Sequence, residues 1–247
     1  ALYEPGHERE YYAIRDRAAL IDVSPLFKYE IRGAQALTAV NRILTRDATR
    51  CAVGQVMYSP WCDDDGKVID DGTAARLSEQ AFRITAAEPN LAWFQDCCYR
   101  LDVEVSDVTD DLAALALQGP NSRRILEQIF SGMFLTDLKY YRLAQGYAGS
   151  IPLTVTRTGY TGDLGYELWV APQHAEALWD LLVETGKGLG LAPAGIIALD
   201  IARIEAGMVM LQVDYISARK ALIAAQKSSP FEIGMAWAVD FKKGDFV

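Results

Sequence analysis

Histidine is nearly absent from this chain, with only His7 and His174 in 247 residues. His174 falls on a helical pattern over residues 173–184 whose apolar stripe is Ala177, Leu178, Leu181 and Leu182, which leaves the imidazole on the solvated side. A histidine-based triad or zinc site has almost nothing to be built from. Cysteine is scarce as well. Cys51, Cys62, Cys97 and Cys98 show no C-x-x-C spacing, and adjacent Cys97 and Cys98 at a helix end point in different directions. They read as small buried or half-buried thiols in a reducing compartment, and no metal is expected. No apolar run approaches the roughly 20 residues that span a bilayer, and no signal-type hydrophobic segment opens the chain. Basic charge is in deficit, 24 Lys and Arg against 33 Asp and Glu, for a net −9. That balance argues against nucleic acid or an anionic membrane as partner. The expected location is therefore the cytoplasm.

What is present is hydrophobic residue, 51% of the chain, enough for one large or two small domains. Residues 8–20 read as a helix. Residues 25–32 follow as a strand with Phe27, Tyr29 and Ile31 on one face, then Gly33 and a helix over 34–44 with Leu37, Val40 and Leu44 on one stripe. The same order recurs as a strand over 112–117, Gly119-Pro120 and a helix over 121–130 with Ile125, Leu126 and Ile129 inward. Two strand-glycine-helix units roughly 85 residues apart suggest a duplicated α+β module. A meander lies between them: strands over 55–61, 67–77 and 81–86, with Asp65-Gly66 at the first turn, then a short helix over 90–98. The turn acids Asp63, Asp64 and Asp65 resemble the start of a calcium loop, but Val68 and Ile69 occupy later ligand positions and no glutamate stands at the twelfth. Further on, the pattern predicts a helix from Pro193 to Gly207 with Ile196, Ile197, Ile201 and Ile204 inward, and a strand over 233–239.

Two stretches invite chemistry. Arg157-Thr158-Gly159-Tyr160-Thr161-Gly162-Asp163-Leu164-Gly165-Tyr166-Glu167 connects a period-2 run at 152–156 to a strand at 167–170, so it is a glycine-articulated turn that sets Tyr160 and Glu167 at its rim. Spacing alone leaves a decorated hairpin equally open; a phosphate cradle is disfavoured, since no Lys-Ser/Thr follows and the loop carries Asp163 and Glu167. Asp70 and Asp71 occupy adjacent strand positions and point to opposite faces. Beside Val68 and Ile69, an inward carboxylate is partly desolvated and stays basic.

The glycine-rich run resembles the Arg-Thr-Gly-Tyr-Thr-Gly-Glu-x-Gly-Tyr-Glu signature of the glycine cleavage T-protein family, the folate-dependent aminomethyltransferases, with Asp163 in place of the usual Glu. Four further stretches agree in order: Ala19-Leu20-Ile21-Asp22-Val23-Ser24, Gly66-Lys67-Val68-Ile69-Asp70-Asp71, Ala116-Leu117-Gln118-Gly119-Pro120 and Arg203-Ile204-Glu205-Ala206-Gly207-Met208. The resemblance implies an α+β fold of two interleaved antiparallel-sheet subdomains flanked by helices, residues 1–50 with 138–210 and 51–137 with 211–247. It also implies a folate cleft between them and a C-terminal barrel domain that this chain lacks. By family position Asp70 stands beside the reactive edge of tetrahydrofolate, where one-carbon transfer needs a group that takes up a proton or steadies a transient iminium charge. A strand-end aspartate capping a turn is the structural alternative. Glu167 is placed to accept two pterin N–H groups, with Arg203 beside the ring and Tyr58 and Tyr160 as aromatic walls. For Arg203 an i,i+3 pair with Asp200 is compatible with that role, and for Tyr58 core packing is an equal reading.

Departures fall on the donor side. Pro25-Leu26 replaces the family's His-Met, Met210-Leu211-Gln212-Val213-Asp214-Tyr215 replaces its Leu-Tyr-Gly stretch, and Thr85-Ala86-Ala87 stands where an asparagine-bearing strand end is usual. The chain thus reads as a paralogue of the orthodox T-protein. The expected function is tetrahydrofolate-dependent one-carbon transfer from a small molecule or a carrier protein, a lipoyl carrier among the candidates. The alternatives are demethylation of a small N-, O- or S-methyl compound, and a folate-binding regulator without catalysis.

Overall fold

Each strand-glycine-helix pattern founds one compact unit of the structure, a computed structural model that describes residues 6–244. Unit 1 takes the described chain up to Pro25 and then Asp110–Met208; unit 2 takes Leu26–Thr109 and the chain from Val209 onward. Helix α1 (Gly6–Asp16) and strand β1 (Ala18–Asp22) open unit 1. Unit 2 follows as β2 (Phe27–Arg32), α2 (Ala36–Ile43), the meander β3 (Val56–Cys62), β4 (Val68–Ser78) and β5 (Ala81–Ala86), then α3 (Leu91–Cys97) and β6 (Glu104–Asp107). Unit 1 resumes with β7 (Ala113–Gln118), α4 (Ser122–Leu126), β8 (Phe130–Ser131) and the meander β9 (Leu143–Ala148), β10 (Ile151–Thr156) and β11 (Gly165–Val170). It closes with α5 (Ala175–Gly186), β12 (Leu191–Pro193) and α6 (Ile196–Glu205).

The sheets are β3-β4-β5-β2-β6 in unit 2 and β12-β1-β7-β11-β10-β9-β8 in unit 1, antiparallel except for the β1–β12 pair. Both units therefore run strand, helix, three-strand meander, helix, strand, with the meander's last strand beside the founding strand. In unit 1, β1 is inserted between β7 and β12. The founding glycines are constrained alike. Gly33 (φ 144°) and Gly119 (φ 113°) take conformations that favour glycine, and a Cβ would stand 2.3 Å from Asp102 O and 2.7 Å from Ile14 O respectively.

In unit 1 helices cover both sheet faces. Ile125 and Leu126 of α4 and Leu178 and Leu182 of α5 pack on Leu115, Leu117, Tyr166 and Leu168, while Ala13 and Ile14 of α1 and Ala198, Leu199 and Ala202 of α6 pack on Ala19, Ile21 and Ala116. In unit 2, α2 and α3 cover one face through Val40, Ile43 and Phe94 against Tyr29, Ile31, Trp61, Phe82 and Ile84. Strand alternation puts Lys28, Arg83, Thr85, Asp71, Thr73 and Tyr58 on the other face.

Several expectations change. Residues 26–50 belong to unit 2, because β2 pairs with β5 and β6, and residues 110–137 belong to unit 1, because β7 pairs with β1 and β11. The first helix stops at Asp16, since residues 18–21 are buried and paired on both sides as β1. On α6 the small residues, not the isoleucines, face inward: Ile196 is 64% exposed, and Ile197 and Ile204 are also exposed, while Ala198 and Ala202 let the helix close on α1 and the sheet. Residues 233–239 form turns and one 3-10 turn (Ala236–Ala238) instead of a strand. The four cysteines are free and buried. Among the described residues no helix is long and apolar enough to cross a membrane.

Candidate functional site

Gln118 at the end of β7 organises the glycine-rich loop of unit 1. Its fully buried amide donates to Thr158 O and Tyr166 O (both 3.3 Å) and accepts from Thr161 Oγ1 (3.1 Å). Gly159 and Gly165 leave it room: a Cβ on either would lie 2.1 or 2.0 Å from Gln118 Oε1. Two motifs that are 40 residues or more apart in sequence thus form one knot. Arg15 of α1 ties the loop to α6, donating to Thr161 O (2.7 Å), Asp163 Oδ2 (2.5 Å), Ala202 O (3.0 Å) and Glu205 Oε2 (2.7 Å).

Glu167 lies on β11, half-buried, and its Oε2 accepts from Thr158 Oγ1 at 2.5 Å and Thr156 Oγ1 at 3.4 Å, while Trp169 Nε1 donates to Thr156 Oγ1 at 3.0 Å. Thr158 and Thr156 thus hold Glu167 through Oε2. Arg203 is 2% exposed on α6; it donates to Asp200 Oδ1 at 2.8 Å and to Met208 O at 3.0 Å, so the i,i+3 pair is present. Tyr160 packs on the apolar cluster formed by α1 and α6. A cavity of about 340 Å³ opens beside the loop, lined by Tyr140, Arg157, Thr158, Asp163 and Met208 among others. Two of its lining residues, Thr158 and Met208, hold Glu167 and Arg203 respectively.

In unit 2 a bulge sets up the carboxylate pair. Register between β3 and β4 shifts at Trp61/Cys62, leaving Ile69 extra immediately before Asp70. Asp70 faces the helical side and is 0% exposed. It accepts from Asp71 N (2.7 Å), Glu88 N (3.1 Å) and Asn90 Nδ2 (2.9 Å). Asn90 is a hub, accepting from Trp61 Nε1 (3.2 Å) and donating its backbone N–H to Tyr29 Oη (2.9 Å). Burial, with Asp71 as neighbour, pushes the Asp70 carboxyl up to about 7 against the pull of the three N–H donors. Asp71 points to the opposite face, half-buried, where Tyr58 donates to Oδ2 at 2.7 Å and Tyr215 donates to Oδ1. Burial raises its proton affinity, and the two phenols oppose that rise.

Of the residues singled out in the sequence, Glu167, Arg203 and Tyr160 lie in unit 1 and Asp70 and Tyr58 in unit 2. Tyr58 meets Asp71, and Asp70 is sealed beneath it. Asn90, Arg15 and Tyr215 escaped the reading. Each belongs to a segment with no periodic or motif signal for the contact it makes, although Tyr215 falls in a stretch flagged for its departure from the family.

The family model of the GCVT N-terminal domain matches residues 1–243. The chain belongs to the glycine cleavage T-protein (aminomethyltransferase) family. It is 36% identical over 242 residues to an aminomethyltransferase of Halothermothrix orenii, covering 96% of this chain and 65% of that protein. It is 34% identical over 254 residues to a trimethylamine-oxide aldolase of Ruegeria pomeroyi, covering 98% of this chain and 31% of that protein. The solved glycine cleavage aminomethyltransferase T of Bartonella henselae superposes with a TM-score of 0.84 at 25% identity, covering 98% of this chain and 63% of that one. The chain thus spans just under two thirds of the length of the aminomethyltransferases it matches.

Proposed function

We propose that this chain is the folate-binding part of a tetrahydrofolate-dependent one-carbon transferase of the aminomethyltransferase type. The observation that carries the reading is the carboxylate pair of unit 2: Asp70 and Asp71 are adjacent, desolvated and bonded only to N–H and phenol O–H groups, with no ion pair among the described residues. Such a pair exchanges a proton near neutral pH, which a folate carrier without catalysis does not need.

Unit 1 supplies binding. Glu167, with Oε2 fixed by two threonines, suits the paired N–H groups of an aminopyrimidinone edge, and Arg203, held by Asp200 and Met208 O, suits its carbonyl. Tyr160 offers its ring. Bound tetrahydrofolate supplies the nucleophilic nitrogens that accept the one-carbon unit. Sequence placed the proton work on Asp70. Because that side chain is wholly buried, we assign ligand contact to Asp71 and make Asp70 the member that sets its charge and position, with Tyr58 orienting Asp71 from β3. A donor bound by a carrier protein, including a lipoyl carrier, is compatible with this reading.

A second reading, demethylation of a small methylated amine with the one-carbon unit passing to tetrahydrofolate, is favoured by the similarity to a trimethylamine-oxide aldolase. Incubating the protein with methylated amines or sulfonium compounds, with and without tetrahydrofolate, and weighing the folate product by mass spectrometry tests both readings. A one-carbon adduct that forms only in the presence of protein and donor supports transfer. Absence of any adduct with every donor, and with a lipoyl carrier, rejects it.

A further inference from the structure

One of the segments that depart from the family, Met210 to Tyr215, is a tight built turn. Met210 N donates to Asp214 Oδ2 and Gln212 N to Tyr215 O, both at 2.7 Å, and Gln212 takes φ 65°, a conformation uncommon for a residue with a side chain. The turn buries Leu211 and Tyr215 against Cys62, Val68, Met235 and Ala238, leaving Tyr215 only 4% exposed. Its phenol ends on Asp71 Oδ1, while Tyr58 holds Oδ2. Two phenols on the two oxygens of one carboxylate leave it a single orientation.

We propose that Tyr215 is a positioning residue for the one-carbon reaction, fixing through its hydroxyl both the orientation of Asp71 and the proton that Asp71 takes up. The inference rests on the assignment of proton work to the Asp70–Asp71 pair. The divergent segment thereby sets the orientation and reactivity of the carboxylate. The titratable groups around Asp71 are Asp70 on its own strand, Tyr58 on β3 and Tyr215 on the turn; a phenol O–H stabilises the carboxylate and lowers its proton affinity against the effect of burial. Removing the hydroxyl therefore moves Asp71 toward the protonated form.

The test is the titration of the Asp71 carboxyl in the ligand-free protein by difference infrared spectroscopy, with Asp71→Asn to assign the band. Tyr215→Phe keeps the ring and is expected to raise the midpoint by about one pH unit, and Tyr58→Phe to raise it in the same direction. The acid limb of the turnover profile should follow, at unchanged tetrahydrofolate affinity. A midpoint that stays in place or falls in folded Tyr215→Phe overturns the role of Tyr215 and leaves the wider reading intact. If Asp71→Asn turns over at the wild-type rate, it is the reading of the carboxylate pair that fails. Should Tyr215→Phe not fold, Tyr58→Phe decides, since an unmoved midpoint there contradicts control by phenol hydrogen bonds.

Discussion

The two units share one order of elements and differ in what lies on the second sheet face. Unit 1 inserts β1 between β7 and β12 and lays α1 and α6 across that face, so its candidate binding groups sit in a scaffold packed on both sides. Unit 2 leaves the corresponding face to Tyr58, Asp71, Thr73, Thr85, Arg83 and Lys28, partly covered by the returning segment with Leu211 and Tyr215. Under the proposed function the difference amounts to a division of labour. Rigid packing suits geometric recognition, because a carboxylate aimed by two threonines loses little freedom on binding. A polar, half-enclosed sheet face suits proton transfer, because desolvation raises the basicity of a carboxylate.

That contrast breaks most visibly at Asp71. Asp71→Asn should cut turnover by at least about a hundredfold while tetrahydrofolate affinity stays within about twofold, as expected for lost acid-base or electrostatic assistance. Steady-state kinetics beside equilibrium binding checks this, and equal loss of both would dissolve the division.

The next effect probes the rigidity of unit 1. Gln118→Leu should destabilise the protein by about 1–3 kcal/mol, because Thr158 O, Tyr166 O and Thr161 Oγ1 lose their buried partner. Urea unfolding measures it, and a variant as stable as wild type would show that the loop does not depend on this knot.

The smallest effect is a pH dependence in unit 2. With its proton affinity raised by burial, Asp70 contributes stability that is present below its ordinary range and lost as pH rises toward about 7. The stability of wild type relative to Asp70→Asn should therefore fall between pH 5 and pH 8 in urea titrations. A flat difference over that range would mean that the three N–H donors outweigh burial and hold Asp70 ionised.

Much of this architecture was readable in the chain. Strand-glycine-helix repeats marked the founding element of each unit, because a glycine that must admit a neighbouring carbonyl leaves a visible trace, and β5 was read at its true bounds, residues 81–86. The glycine-rich loop was found, but not its dependence on Gln118, since close approach of a side chain to two glycines has no periodic signature. The isoleucines of α6 misled because periodicity ranks apolar bulk above small size, and close helix packing selected Ala198 and Ala202 instead. Unit boundaries were misplaced for a related reason: β2 and β7 pair with strands distant in sequence, and no local signal specifies a partner. At the carboxylate pair, alternation correctly gave opposite faces for Asp70 and Asp71. It could not say that the inward face would be sealed by Asn90 and Trp61.

The central claim is that Glu167 supplies the affinity for a reduced folate and Asp71 the proton transfer. Calorimetric titration of tetrahydrofolate into wild type, Glu167→Ala and Asp71→Asn tests it directly. Affinity should fall by about 1–3 kcal/mol in Glu167→Ala, where pterin N–H groups lose their acceptor, and hold in Asp71→Asn. Equal affinity in wild type and Glu167→Ala would contradict the account.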